Sequence, residues 1–297
     1  MRPIGCPLCG CERSVRSWRG STRFAEQLFE YVRCQECGSA YCSPMPDSKT
    51  LALMYGPDYG GRGPKDGDVE GVCDRDWVAS WLRKRAPLDG PFVDYGCGHG
   101  ELLSVGRAAG CEVAGVEFNA EVARRVERLT GERVFAVGER ELAPLDGRVA
   151  VLHLGDVIEH LTEPHAALTV ILRLLRPDGV LLAQGPLEAQ ANLFNGFLRA
   201  KRALSKDTPA DVPPYHVLLA TAAGQRALFD RLRLRTLEFA LREVDWPAPS
   251  RLSPAMLREP RTASLYFARR ASRAVSALAP EGLGNRYCYA GVHAARA

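Results

Sequence analysis

The chain has 297 residues, 46% hydrophobic and 25% charged, enough to build a full globular core, and at about 100 to 200 residues per domain this predicts one large domain with a small appendage. No apolar run approaches the roughly 20 residues of a spanning helix, which excludes a helical membrane protein, and the start MRPIGCPLCG lacks the pattern of a secretory signal, which predicts a cytoplasmic location. A net charge of +4 is too weak to require a polyanionic partner, so nucleic acid is not the first expectation.

The first element in the chain is a cysteine ribbon over residues 1–46. Cys6-Pro7-Leu8-Cys9-Gly10 and Cys34-Gln35-Glu36-Cys37-Gly38 repeat one C-x2-C-G pattern. Each pair can turn inward from one tight loop, the following glycine tolerates positive φ, and the two pairs complete a tetrahedral set of four sulfurs. Zinc suits such a set best; iron would bring redox partners that the sequence does not identify. Four cysteines leave no open position for water or substrate, so the ion is expected to hold a fold together. Cys11 and Cys42 break the pairing and are not expected to be ligands. Between the pairs, Arg13, Arg16, Arg19, Arg23 and Arg33 alternate with Trp18, Phe24, Phe29 and Tyr31. That interleaving suits either nucleic acid or a solvated β-hairpin, and Glu26 and Glu30 dilute the patch in favour of the hairpin.

Residues 47–90 read as a helical linker and lid. Pro44-Met45-Pro46 marks the break before it, Ser48–Tyr55 forms a short helix, and a glycine-rich charged loop covers 56–71. Asp74–Arg85 is a helix in which Trp77 and Trp81 share one face as core anchors. From residue 91 to 297, short apolar strands alternate with helical segments, the pattern of an α/β sheet with helices on both faces. Seven strands are predicted, at Phe92–Tyr95, Glu112–Glu117, Arg133–Val137, Val149–Leu154, Val180–Gln184, Leu234–Leu241 and Arg286–His293. Segments 187–215 and 247–280 fall outside this rhythm and are expected to cover the substrate cavity.

Phe92-Val93-Asp94-Tyr95-Gly96-Cys97-Gly98-His99-Gly100-Glu101 runs from a strand through a glycine-rich turn into a helix, so a ligand can approach bare backbone at the carboxyl end of the sheet. Glu117, the last residue of the next strand, is placed to accept hydrogen bonds from ribose hydroxyls. A dinucleotide fingerprint would need glycine where Glu101 stands, and a carboxylate there would repel a pyrophosphate. S-adenosylmethionine has no phosphate and carries an ammonium group that Asp94 and the turn carbonyls can help hold.

VDYGCGHG at 93–100, the acidic Glu117, HLGDVIEHL at 153–161 and LLRPDGVLLAQGP at 174–186 together resemble the class I S-adenosylmethionine-dependent methyltransferases, and are similar to the subgroup of ubiquinone-type O-methyltransferases. CPLCG, VRCQECGSAYCSPMP and LALMYGPDY resemble the zinc ribbon and linker of one branch of that subgroup. The resemblance implies a Rossmann-like seven-stranded sheet with its last strand antiparallel. It implies that Asp94, Gly96, Gly98 and Gly100 cradle methionine, that Glu117 binds ribose and that Phe118 packs on adenine. Gly138 and Glu139 fall where the adenine amino group is usually recognised.

A hydroxyl acceptor must lose its proton during methyl transfer. Asp156, Glu159 and His160 lie just beyond the fourth strand of the sheet, and His216 follows the first cap segment. His160 or His216 is the expected base, with His216 alternatively a further ligand to a cation at Asp156, Glu159 and His160. Asp156-x-x-Glu159-His160 resembles an E-x-x-E-H arrangement that some relatives use to bind magnesium, and a divalent cation there is an accompanying expectation. In the competing reading, Glu159 and His160 only cap the following helix and orient its loop. The expected activity is O-methylation of a small molecule, such as a sugar or natural-product intermediate. N-methylation of a small molecule, RNA methylation through the ribbon and a non-catalytic binding module are the alternatives.

Overall fold

A computed structural model of the protein describes residues 5–56, 73–86, 88–204, 209–245, 253, 256, 258–279 and 282–294. The expected lid beyond Gly56 and much of the early part of the second cap lie outside these residues. β1 (Ser14–Phe24) forms a hairpin with β2 (Gln27–Cys34), and β3 (Ala40–Ser43) follows. Helices α1 (Ser48–Met54) and α2 (Arg75–Arg85) precede β4 (Phe92–Tyr95), α3 (Glu101–Ala108), β5 (Val113–Glu117), α4 (Ala120–Thr130) and β6 (Arg133–Ala136). Next come α5 (Glu139–Leu142), β7 (Val149–Gly155), α6 (Pro164–Ile171), β8 (Leu175–Pro186) and α7 (Leu193–Ala203). The last elements are β9 (Leu218–Leu219), α8 (Ala222–Arg231), β10 (Leu234–Arg242), α9 (Pro260–Leu278) and β11 (Arg286–His293).

These elements divide into two compact units that are interleaved along the sequence: Met1–Val72, Pro186–Ala227 and Ala240–Tyr287 form the first, and Cys73–Gly185, Leu228–Phe239 and Cys288–Ala297 the second.

The second unit carries most of a seven-stranded sheet in the order β10-β11-β8-β7-β4-β5-β6, the Rossmann-like architecture that the sequence predicts. The four pairings from β8 across to β6 are parallel. β7 reads Val-Ala-Val-Leu-His-Leu and is buried at each of these positions, as a parallel strand covered on both faces must be. β8 begins earlier than the predicted Val180. Val149 pairs with Leu175 and Val151 with Val180, so residues 176–179 bulge out of register. Asn119 caps α4 by accepting from the Glu121 and Val122 amides, and Asp74 caps α2 by accepting from Trp77 N–H. Trp77 and Trp81 do share a face, but their indole N–H groups also have a partner: both donate to Glu238, at 3.0 and 2.9 Å.

In the first unit the predicted hairpin extends into a four-stranded antiparallel sheet, β1-β2-β3-β9. Its last strand comes from residues beyond the first cap segment, with Leu218 opposite Tyr41 and Leu219 opposite Ala40. Thr221 then donates to the Cys37 carbonyl at 2.6 Å, which ties this stretch to the second knuckle. The described parts of the cap segments contain the helices α7 and α9. Phe194 lies beneath the Arg269 guanidinium at 3.6 Å, and Arg269 is paired with Glu243 at 2.8 Å. Among the described residues no helix is long and apolar enough to cross a membrane.

Candidate functional site

In the second unit, β4 lies between β5 and β7, which places the change of strand order at its carboxyl end, where open α/β sheets bind ligands. The chain leaves β4 through Gly96, Gly98 and Gly100, whose φ values of 84°, 50° and 79° are left-handed conformations that side chains disfavour. A Cβ on Gly96 would lie 2.7 Å from Val157 Cγ2 and one on Gly100 2.7 Å from Val126 Cγ1, whereas one on Gly98 would meet nothing within 4 Å. The turn is therefore braced at both ends and open at Gly98. Glu117, at the end of β5, accepts from the Gly98 amide at 3.1 Å and from the Asn119 amide at 3.1 Å. A carboxylate has about four lone-pair sites, so Glu117 retains capacity for hydroxyl donors. Phe118 follows with 67% of its surface exposed. Gly138 accepts from Leu142 N–H at 3.0 Å, and Glu139 opens α5. Cys97, inside the turn, is a buried thiol pushed up to about 12, first by burial and then by the nearby Asp94 and Glu117 carboxylates, so it stays neutral.

Asp94 and His153 stand on neighbouring strands, and parallel register places them side by side. Asp94 is buried, with its Oδ1 2.7 Å from His153 Nδ1. Gln184 on β8 continues the chain: its amide nitrogen is 3.0 Å from His153 Nε2 and its oxygen accepts from Asp74 N–H at 2.6 Å. His153 and Gln184 fall within the motifs at 153–161 and 174–186, but neither is predicted there as a site residue; both are buried polar side chains among apolar neighbours.

Asp156 takes a left-handed φ of 54° just after β7, and its amide donates to the Gln184 carbonyl at 3.0 Å. Glu159 and His160 belong to a single 3-10 turn, Ile158–His160, where Glu159 is buried and His160 half-buried. Among the described residues, the ligand atoms of Glu159 and His160 lie within 4.8 Å of each other, whereas Asp156 does not join them in a converging set.

His216 belongs to the first unit, where its Nδ1 is 2.7 Å from Glu188 Oε2, the two side chains being 31% and 30% exposed. Tyr31 donates to the His216 carbonyl at 2.8 Å. Arg19 donates to the Glu188 carbonyl and, at 3.1 Å, to Asn195 Oδ1. Burial lowers the Arg19 pKa and raises that of Tyr31. Glu188 carries no sequence signal of its own, because its relation to His216 spans the whole of α7.

Cys6, Cys9, Cys34 and Cys37 converge, with all four sulfurs within 4.8 Å of one another. Cys6 and Cys37 are 3.7 Å apart and Cys9 and Cys34 3.5 Å. A tetrahedral zinc site with bonds of about 2.3 Å has sulfur–sulfur edges of about 3.8 Å, so the set fits such an ion. The hydrogen bond from Cys6 draws the Cys37 thiol down to about 5 and raises Cys6 in return. Cys11 and Cys42 lie outside the set.

A family model described as "Methyltransferase domain" matches residues 73–235. None of the curated proteins compared with the chain matches it. Among solved structures, a chain from the complex between the Haloferax volcanii Trm112 methyltransferase activator and a methyltransferase is 18% identical, with a TM-score of 0.50 over 84% of this chain and 98% of that one. Geranyl diphosphate C-methyltransferase from Streptomyces coelicolor A3(2) is 14% identical over 74% of this chain and 79% of that one, with a TM-score of 0.46. A SAM dependent methyltransferase from Archaeoglobus fulgidus is 16% identical over 73% and 94%, with a TM-score of 0.43. At 18% identity the likeness to the Haloferax volcanii chain concerns the fold alone.

Proposed function

The chain belongs to the methyltransferase-domain family and is an S-adenosylmethionine-dependent methyltransferase, and from that premise we propose that it O-methylates a small molecule with His216 as the base. We place it beside the ubiquinone-type O-methyltransferases that carry an N-terminal zinc ribbon. The observation that carries the O-methylation reading is the 2.7 Å contact between His216 Nδ1 and Glu188 Oε2. A neutral amine already has a lone pair to offer, whereas a hydroxyl must be relieved of its proton as the new bond forms. With Glu188 accepting from Nδ1, Nε2 is left as the acceptor, and the carboxylate stabilises the imidazolium that results. His160 is the second candidate base.

When bound, S-adenosylmethionine supplies a methyl group activated by a sulfonium charge. Asp94 and the backbone of Gly96, Gly98 and Gly100 would hold its methionine end, Glu117 would accept from the ribose hydroxyls, and Phe118 would cover the adenine ring. Gly138 and Glu139 would meet the adenine amino group. The open side of Gly98 and the remaining acceptor capacity of Glu117 suit these roles. Cys6, Cys9, Cys34 and Cys37 would hold a structural zinc ion.

Turnover with labelled cofactor against panels of hydroxyl and amine acceptors tests the proposal. His216→Ala should lower kcat by about 10² to 10⁴ on a hydroxyl acceptor without changing affinity for S-adenosylhomocysteine, and Glu188→Gln should lower it less. Full turnover in His216→Ala and His160→Ala alike would remove the base, and transfer to amines alone would favour N-methylation.

A further inference from the structure

We propose that the groove in the first unit between the β1–β2 hairpin and α7 binds the phosphate or pyrophosphate group of a small, nucleotide-sized ligand. The inference concerns binding and stands independently of the base assigned above. The groove has a volume of about 1460 Å³, larger than a bare phosphate requires. Arg16 and Arg33 line it from the hairpin, and Arg199 and Arg202 from α7. Among the described residues no carboxylate lines it. Four guanidinium groups line the concave site; Glu30, 3.8 Å from Arg16, offsets part of that charge, and the excess remains positive. Guanidinium also matches phosphate oxygens in a two-pronged geometry that lysine lacks.

Asn192 supplies an independent observation. It lines the same groove and is 8% exposed. Its Oδ1 accepts from Asn195 N–H at 2.8 Å and so caps α7, but its Nδ2 is buried without any hydrogen-bond partner. An unmade donor of this kind is unfavourable, and an anionic oxygen in the groove would satisfy it. The donor also sits at the amino end of an eleven-residue helix, where the helix dipole favours negative charge.

Gly20 explains how one guanidinium is seated. It adopts a φ of 80°, and a Cβ there would strike the Arg202 guanidinium, so bare backbone makes the space that Arg202 occupies. Trp18, also lining the groove, offers a ring beside this cluster. The nearby charge pattern favours a discrete anion over a nucleic-acid track. Arg13 lies 3.6 Å from Glu36 and Arg16 3.8 Å from Glu30, so the hairpin presents alternating charge and not a continuous basic surface.

The test is calorimetric titration of the full-length protein with inorganic pyrophosphate in 150 mM salt, with a single-stranded RNA oligonucleotide as a second titrant and S-adenosylhomocysteine as the fold control. Wild type should bind pyrophosphate, and Arg199→Gln combined with Arg202→Gln should weaken it at least about tenfold with S-adenosylhomocysteine affinity unchanged. Gly20→Val, which displaces Arg202 without removing charge, should weaken it in the same direction. Absence of pyrophosphate binding overturns the proposal, as does equal binding in the double variant. Tighter, steeply salt-dependent binding of the RNA that the same variants abolish would also overturn it, in favour of a nucleic-acid surface.

Discussion

His153 Nδ1 lies 2.7 Å from Asp94 Oδ1 in the interior of the large sheet, on the strand adjacent to the one that feeds the glycine turn. This pair makes the end of β4 a fixed platform. His153→Leu should strand the Asp94 carboxylate without a buried partner and cost about 1 to 3 kcal/mol of stability. Thermal melts with and without S-adenosylhomocysteine would read the effect. A lowered Tm accompanied by weaker ligand binding assigns the pair a positioning role, and an unchanged Tm contradicts the geometry.

The turn glycines should separate cofactor contact from packing. Gly98→Ala puts a methyl group into the open space over the turn at a left-handed φ, whereas Gly100→Ala drives one against Val126 and Thr130. The first is expected to reduce S-adenosylhomocysteine affinity with a modest change in Tm, and the second to destabilise the fold by about 1 to 3 kcal/mol. Glu117→Ala should behave like the first. Binding isotherms paired with urea denaturation distinguish the two classes.

Metal analysis of the purified protein should return about one zinc ion per chain. Cys6→Ser with Cys37→Ser should lose that ion and lower Tm, and a strong chelator should do the same to wild type. Cys11→Ser and Cys42→Ser should retain it, because neither sulfur belongs to the converging set. Loss of zinc from Cys11→Ser alone would show that the ligand set is wrong.

Tyr289 predicts an alkaline weakness. Its ring is buried and stacks on Phe229 at a centroid distance of 3.8 Å, and burial pushes its hydroxyl up to about 12 from an ordinary value of 10. In the unfolded chain the hydroxyl ionises near pH 10, while in the folded chain it holds its proton. Stability from this group is therefore complete below about pH 10 and falls away as the pH climbs towards 12, by about 2 to 3 kcal/mol over that range. Tyr289→Phe should flatten this part of the stability curve relative to wild type. Parallel urea titrations at pH 8 and pH 11 would detect the difference.

Local grammar made much of the fold and candidate site legible. The two C-x2-C-G knuckles, the strand–turn–helix around Gly96 to Gly100 and the carboxylate of Glu117 are read from spacing over a few residues, and the structure gathers each of them. The alternation of apolar strands and helices likewise announced a seven-stranded sheet. Boundaries slipped where pairing overrides the pattern, as at β8, whose bulge at 176–179 depends on a register set by β7.

The partnerships stayed out of reach. Nothing near Glu238 indicates that it receives both indoles, nothing near Glu188 that it holds His216, and nothing in β7 that His153 faces Asp94. By itself, the sequence determined which backbone could bend, which strands would be buried and which thiols would face one another, since these follow from short-range sterics and periodicity. Only the tertiary structure decided which carboxylate serves which ring nitrogen and which guanidinium groups share a groove. Those choices are made by chain crossings that bring distant residues within hydrogen-bonding reach, and no local propensity encodes them.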